Sequence, residues 1–132
     1  MKRKYYIILS LSYATIIFIL SSIPQPPSYV EETGFDKIQH VIEYSILGFF
    51  VLGSFANRNN VKIILLVIII CSIYGIVDEI HQFFVPGRYF SVLDMVANSV
   101  GVVIGILILR YYKELGNILR NLRNENSPKF IA

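Results

Sequence analysis

The segment IILLVIIICSIYGIVDEIHQFF, residues 63–84, decides the fold of this chain. It carries no charge over most of its length, and then Asp78, Glu79 and His81 follow in close succession. A helix that crosses a bilayer needs about 20 mostly apolar residues, so the segment predicts a membrane-spanning helix. Because ionisable side chains inside such a helix are costly and usually mark functional sites, we expect a site near the end of this one.

Three further segments have the length and apolar character of a membrane span. They are residues 5–23, 38–57 and 91–110. The segments are separated by prolines at 24, 26 and 27, by the polar run 57–60 and by Pro86-Gly87. Prolines and polar or Pro-Gly runs end helices and form turns. The sequence therefore predicts an all-α integral membrane bundle of four transmembrane helices, with residues 1–132 as a single domain.

The composition favours a bilayer as the solvent. Hydrophobic residues make up 55% of the 132 residues, charged residues make up 16%, and the mean hydropathy is +0.59. Soluble domains carry about 25% charged residues, so an ordinary soluble enzyme is excluded. The single cysteine, Cys71, cannot form an internal disulfide. Residues 5–23 are predicted to remain as an anchor, because the Ser-Ser-Ile-Pro sequence at their end is a poor signal-peptide cleavage site.

The basic residues are distributed unevenly between the two ends of the predicted bundle. If both termini are cytoplasmic, only Lys37 and Arg88 of the 12 lysine and arginine residues lie on the outer side. Because basic residues concentrate in cytoplasmic segments, this bias predicts that orientation. The pI near 9.0 therefore reflects topology, and no nucleic-acid partner is predicted. Residues 111–132 form a basic cytoplasmic tail, which either lies on the membrane surface as a helix or is solvated.

Polar residues recur at helical spacing in three of the predicted helices. The sets are Asp36, His40 and Glu43 on the second helix, Asp78, His81 and Gln82 on the third, and Asp94 and Asn98 on the fourth. All three sets lie at the same predicted membrane depth, and within each set the residues share one helix face. They predict one shared polar site at the outer end. A structural alternative stays open, in which they form interhelical ion pairs or interact with helix dipoles.

The start of the fourth helix has two recognisable patterns. Ser91 followed by Asp94 resembles a capping box, with aspartate in place of the usual glutamate. Ala97, Gly101 and Gly105 form a stripe of small residues, which predicts a close approach of a neighbouring helix.

The longest polar run resembles the signature of the VanZ-like membrane proteins. It reads Tyr74-Gly75-x-x-Asp78-Glu79-Ile80-His81-Gln82-x-Phe84-x-Pro86-Gly87-Arg88-x-x-Ser91-x-x-Asp94-x-x-Ala97-Asn98-x-x-Gly101. Two earlier motifs of that family are matched by Asp36-Lys37-x-x-His40-x-x-x-Tyr44-x-x-Leu47-Gly48 and Phe18-x-x-Ser21-x-x-Pro24. The resemblance implies a four-helix, multi-pass module of the bacterial plasma membrane. The family's namesake is associated with resistance to the glycopeptide teicoplanin, which implies a role in the cell envelope but no particular reaction.

The leading hypothesis is that the polar outer site binds a ligand without transforming it. The predicted partners are the lipid bilayer and the headgroup of a phospholipid or of a lipid-linked cell-wall precursor; no oligomeric state is predicted. Arg88 is suited to a phosphate or carboxylate because guanidinium binds such groups bidentately. The predicted ligand-binding residues are Asp36, Lys37, His40, Glu43, Tyr44, Asp78, Glu79, His81, Gln82, Arg88, Asp94 and Asn98.

The alternative is a membrane-embedded hydrolase or transferase acting on a lipid-linked cell-wall substrate. His81 would be the general base, oriented by Asp78 or Glu79. A metal variant of this idea rests on the pairs His40/Glu43 and Asp78/His81, which are three residues apart on a helix. No H-E-x-x-H pattern is present, so no metal site is predicted, and no organic cofactor is predicted either. A transporter would need polar groups along the whole membrane depth, and the inner halves of the spans have almost none.

Overall fold

The computed structural model describes residues 2–25 and 34–125, which form four α-helices. In chain order these are α1 (Arg3–Ser21), α2 (Gly34–Gly53), α3 (Val61–Gln82) and α4 (Val92–Glu125). The described residues contain no strand, so the predicted all-α class is confirmed. Two predicted features, the prolines at 26 and 27 and the last part of the basic tail at 126–132, lie outside the described residues.

The helix boundaries differ from the predicted ones: α2 spans Gly34–Gly53 rather than 38–57, and polar residues extend α1 and α4. α1 begins at Arg3, whose Nε donates to the Ser54 carbonyl oxygen at 2.7 Å. α4 does not end at 110 but continues to Glu125, which makes it 34 residues long. That corresponds to about 50 Å at a rise of 1.5 Å per residue, well beyond the ~30 Å hydrocarbon core of a bilayer. The first part of the predicted tail is therefore an exposed helical extension.

Three helices in the described part of the chain are long and apolar enough to cross a membrane. They are Arg3–Ser21, Val61–Gln82 and the segment Val92–Asn124 of α4. α2 is not among them, and it carries Asp36, Lys37 and Glu43. Large apolar side chains of the other helices point outward, such as Ile69 and Ile73 on α3. An apolar exterior around buried polar groups is what a bilayer requires.

The closest helix packing is between α2 and α4, and it is possible because glycines lie at the contact. A Cβ atom built on Gly105 would overlap the carbonyl oxygen of Ser45, and one on Gly101 would overlap that of Val41. On the α2 side, a Cβ on Gly48 would lie 2.7 Å from the Val102 carbonyl oxygen. The predicted role of the small-residue stripe in close helix packing is thus confirmed.

α1 packs on the other side of the bundle through polar and aromatic contacts. The Tyr74 hydroxyl on α3 donates to the Ala14 carbonyl oxygen at 2.7 Å. Near the other end of α1, the Tyr6 ring packs on Gly53 and beneath the Arg58 guanidinium, 4.6 Å from the ring centroid. These contacts attach α1 to the middle of α3 and to the end of the bundle formed by the α2–α3 connection.

The two ends of the bundle have opposite chemical character. The end formed by the start of α1, the α2–α3 connection and the distal part of α4 contains an open groove of about 980 Å³. Basic side chains in its lining include Arg58, Arg110, Lys113 and Arg120. The end where α3 finishes and α4 begins instead holds the acidic and amide side chains predicted to form the site.

Candidate functional site

His40 on α2 is at the centre of the polar end, because it contacts both other helices that carry polar residues. Its Nδ1 lies 3.0 Å from Asn98 Oδ1 on α4. Its Nε2 faces three carboxylate oxygens from three helices: Asp36 Oδ1 at 4.0 Å, Glu79 Oε1 at 4.0 Å and Asp94 Oδ2 at 3.8 Å. We call Asp36, His40, Glu79 and Asp94 the His40 cluster.

Asp94 joins α4 to α2 through an ion pair. Its Oδ1 lies 3.0 Å from Lys37 Nζ, which leaves Oδ2 directed toward His40. Asp94 is held in the first turn of α4 by its backbone N–H, which donates to Ser91 Oγ at 3.3 Å. This bond confirms one half of the predicted capping box, in which the N-cap hydroxyl accepts from a backbone N–H three residues later.

Glu79 supplies the other half of that capping arrangement from a different helix. The Ser91 backbone N–H donates to Glu79 Oε2 at 3.2 Å, where a capping box would use the residue three positions later. Glu79 is fully buried at 0% exposure. Its second oxygen, Oε1, has no hydrogen-bond partner among residues 2–25 and 34–125. The Asp94 carboxylate therefore does not cap the helix and instead faces Lys37 and His40.

The His40 cluster is reached from the surface through α2. The side chains of Asp36 and Lys37 are 42% and 25% exposed, whereas those of His40, Asp94 and Glu79 are 8%, 7% and 0% exposed. Within residues 2–25 and 34–125, three carboxylates surround His40, and Lys37 pairs with one of them. The cluster therefore has an excess of negative charge and favours cations and hydrogen-bond donors.

A second polar layer lies deeper in the bundle. Tyr44 Oη, Asn98 Nδ2 and Asp78 Oδ1 are buried and have no hydrogen-bond partner within the described residues. Tyr44 and Asn98 meet across Gly75, where an added Cβ would lie 3.1 Å from Tyr44 Cε1 and 3.2 Å from Asn98 Nδ2. Buried polar atoms of this kind usually bind water or a ligand, so the layer can receive polar atoms from outside the protein.

Arg88 lies apart from the His40 cluster and binds the end of α1. Its Nε donates to the Ile23 carbonyl oxygen at 3.3 Å, and Nη2 donates to that of Leu20 at 3.0 Å. Its Nη1 donates to Gln82 Oε1 at 3.3 Å, and Gln82 Nε2 in turn donates to Asp78 Oδ2 at 3.0 Å. The predicted ligand-binding arginine, glutamine and aspartate thus form a chain that closes the α3–α4 turn onto α1.

His81 and Glu43, two further predicted site residues, also lie outside the His40 cluster. His81 faces α1, where its Nε2 lies 2.9 Å from Ser22 Oγ and its ring stacks on Phe18 with 4.5 Å between centroids. Glu43 accepts from Gln39 one turn earlier on α2, at 3.0 Å. Ser22 is not among the site residues predicted from the sequence. The only signal for it was its position beside the Phe18-x-x-Ser21-x-x-Pro24 motif.

Comparison with known proteins agrees with the motifs on which the site is built. A family model described as VanZ/LLP1 matches residues 4–115, a segment that includes all four residues of the His40 cluster. No curated protein and no solved structure matches this chain. The match covers most of the chain and its three long apolar helices, so this is a membrane protein that belongs to the VanZ-like family.

Proposed function

We propose that this protein is a multi-pass protein of the bacterial cytoplasmic membrane that binds the headgroup of a lipid or a lipid-linked cell-wall precursor at the outer leaflet. Both termini are cytoplasmic in this proposal, and α2 is the fourth crossing. The main support for this proposal is the His40 cluster. It is a largely buried polar site at one end of the bundle, where Asp36 and Lys37 are partly exposed. Such a site faces lipid headgroups rather than a soluble substrate.

The chemistry of the cluster suits hydroxyl- and amide-rich headgroups. Its carboxylates accept hydrogen bonds from sugar hydroxyls and peptide amides, and Lys37 at the rim supplies a positive charge for a phosphate or carboxylate. The three guanidinium nitrogens of Arg88 already donate within the protein. We therefore do not place the anionic group of the ligand at Arg88.

A direct binding experiment tests this proposal. The purified protein is titrated in detergent with phosphatidylglycerol or with a polyprenyl-diphosphate-linked disaccharide peptide, and bound lipid is counted by native mass spectrometry. We expect one retained lipid on the wild type and at least tenfold weaker retention on Asp94→Asn, which loses the charge that holds Lys37 at 3.0 Å.

The matched control is Glu43→Gln, a carboxylate on the same helix as His40 that is bonded to Gln39 instead. It should retain lipid like the wild type. Equal retention by wild type and Asp94→Asn, or an equal loss in Glu43→Gln, would contradict headgroup binding at the cluster.

A second candidate function, a hydrolase or transferase, is favoured by one other contact. Ser22 Oγ and His81 Nε2 lie 2.9 Å apart, within the range of a nucleophile and its base. The same hydroxyl lies 2.6 Å from the Phe18 carbonyl oxygen, so its proton has two competing acceptors. The pair lies at the outer end of α1, where a lipid-linked ester or diphosphate would be accessible.

Labelling with a fluorophosphonate probe separates the two functions. An enzyme predicts covalent labelling at Ser22 that is lost in Ser22→Ala and His81→Ala but kept in Ser21→Ala. Absence of labelling on the folded wild type would leave Ser22 and His81 as a contact between α1 and α3, and headgroup binding as the function.

A further inference from the structure

We infer that the His40 cluster binds a divalent transition-metal ion, with donor atoms from Asp36, His40, Glu79 and Asp94. This goes beyond headgroup binding and does not depend on it. The ligands come from three helices, so an ion there would also connect α2, α3 and α4 at their polar end.

The spacing of the donor atoms is the first support. Three carboxylate oxygens lie 3.8–4.0 Å from His40 Nε2, too far for direct hydrogen bonds. One atom each from Asp36, His40 and Asp94 also lie within 4.8 Å of one another. Metal–nitrogen and metal–oxygen bonds are about 2.0–2.2 Å for zinc, so neighbouring donors on one ion lie roughly 3–4 Å apart. The carboxylate distances from His40 Nε2 lie at the upper end of this range. Glu79 is outside the group of three and is included because its Oε1 lies 4.0 Å from His40 Nε2.

The orientation of His40 is the second support. Asn98 Oδ1, 3.0 Å from Nδ1, is an acceptor, so Nδ1 carries the proton and donates to it. Nε2 is then the ring nitrogen that faces the three carboxylates. A cation between these atoms would offset the mutual repulsion of the carboxylates. A histidine whose other nitrogen donates to an oxygen acceptor is the usual arrangement for a metal ligand.

The unpartnered carboxylate oxygen of Glu79 is the third support, and it is independent of the other two. Glu79 is 0% exposed, and its Oε1, 4.0 Å from His40 Nε2, has no hydrogen-bond partner in the described ranges. A buried carboxylate oxygen with nothing to accept from is costly. Bonding of Oε1 to a metal ion removes this cost, whereas Oε2 already accepts from Ser91.

Charge balance selects the type of ion. The cluster brings three carboxyl groups to one imidazole, and a divalent cation suits such an acid-rich site. Carboxylates alone suit magnesium, calcium or manganese, while an imidazole ligand favours transition metals such as zinc. The mixed donor set therefore points to Zn²⁺ or Mn²⁺.

The two histidines of the chain allow a test on the unaltered protein. The full chain, carrying a tag without histidines, is labelled with ¹⁵N-histidine, stripped with a chelator, and titrated with ZnCl₂ in detergent. We expect saturation at one ion per chain, with a shift of the His40 Nε2 resonance and none of His81. No shift at His40, or a shift confined to His81, would overturn the proposal.

Metal affinity of variants, measured by equilibrium dialysis against Zn²⁺ and Mn²⁺, gives the second arm. His40→Gln and Glu79→Gln should bind at least tenfold more weakly, and Asn98→Ala roughly 10- to 100-fold more weakly because it loses the orientation of the imidazole. His81→Gln and Glu43→Gln are the controls and should bind like the wild type. Equal affinity of wild type and Glu79→Gln would contradict the ligand set. No lipid is added, so a negative result here leaves headgroup binding to its own test.

Discussion

Neighbouring residues in this protein have separate tasks because a helix turns about 100° per residue. Asp78 and Glu79 are adjacent, yet Asp78 accepts from Gln82 on its own helix while Glu79 accepts from the Ser91 backbone at the start of α4. The next polar side chain, His81, faces α1. One short polar run thus serves three different neighbours.

At this scale Arg88 gives a clear prediction. Arg88→Lys should lower the free energy of unfolding by about 1–3 kcal/mol, because lysine cannot reproduce three separate guanidinium bonds and leaves Leu20 or Gln82 without a donor. Thermal unfolding in detergent measures this, with the exposed Arg110→Lys as control. A variant of unchanged stability that has lost lipid binding would instead make Arg88 a ligand-binding residue.

Helical spacing correctly predicted that His40, Asp78 and Asp94 face the inside of the bundle, but not what each one contacts. The apolar runs predicted the helices, and Ser91 predicted the start of α4. The glycine stripe predicted the close packing of α4 on α2. The direction of His81 toward Ser22 and of Arg88 toward the end of α1 depends on where α1 packs. No periodicity within α3 contains that information.

At the scale of helices, the α2–α4 contact holds the cluster together. Asp36, His40 and Lys37 come from α2, and Asp94 and Asn98 come from α4. Two glycines of α4 bring the backbones close enough for these side chains to meet, because a Cβ at either position would overlap an α2 carbonyl oxygen. The site therefore depends on glycine at positions 101 and 105, which lie one to three helical turns from Asp94 and Asn98.

Substitution of a single glycine tests this dependence. Gly105→Ala should destabilise the protein by about 1–3 kcal/mol through overpacking, since the new methyl group meets the Ser45 carbonyl oxygen. Gly116→Ala, at a position with nothing within 4 Å of the added Cβ, should be neutral or stabilising by up to ~1 kcal/mol through helix propensity. Both are read from unfolding in detergent, and equal effects would contradict the close approach.

At the scale of the whole molecule, charge is separated along the bundle. The groove at one end is lined by Arg58, Arg110, Lys113 and Arg120, and the other end holds the three carboxylates of the His40 cluster. Between them the exterior is apolar. Such an arrangement fits a membrane-crossing bundle whose basic end faces the cytoplasm.

Cysteine labelling tests this orientation. With the buried Cys71 replaced by alanine, Tyr89→Cys, whose native side chain is 64% exposed at the α3–α4 turn, should react with an impermeant maleimide on intact cells. Asn59→Cys, in the α2–α3 connection, should react only after permeabilisation. The opposite pattern would reverse the topology and place the His40 cluster at the inner leaflet.

The most direct test of the central claim is the teicoplanin and vancomycin susceptibility of a susceptible Gram-positive host that expresses this chain. Wild type, Asp94→Asn and Glu43→Gln are compared at matched membrane levels. The namesake of the VanZ-like family is associated with teicoplanin resistance, and we propose that headgroup binding at the His40 cluster would underlie such a role here. We predict that wild type and Glu43→Gln raise the inhibitory concentration of teicoplanin and that Asp94→Asn does not. Equal protection by all three proteins would contradict the His40 cluster as the working site, and no protection by the wild type would contradict a role in glycopeptide resistance.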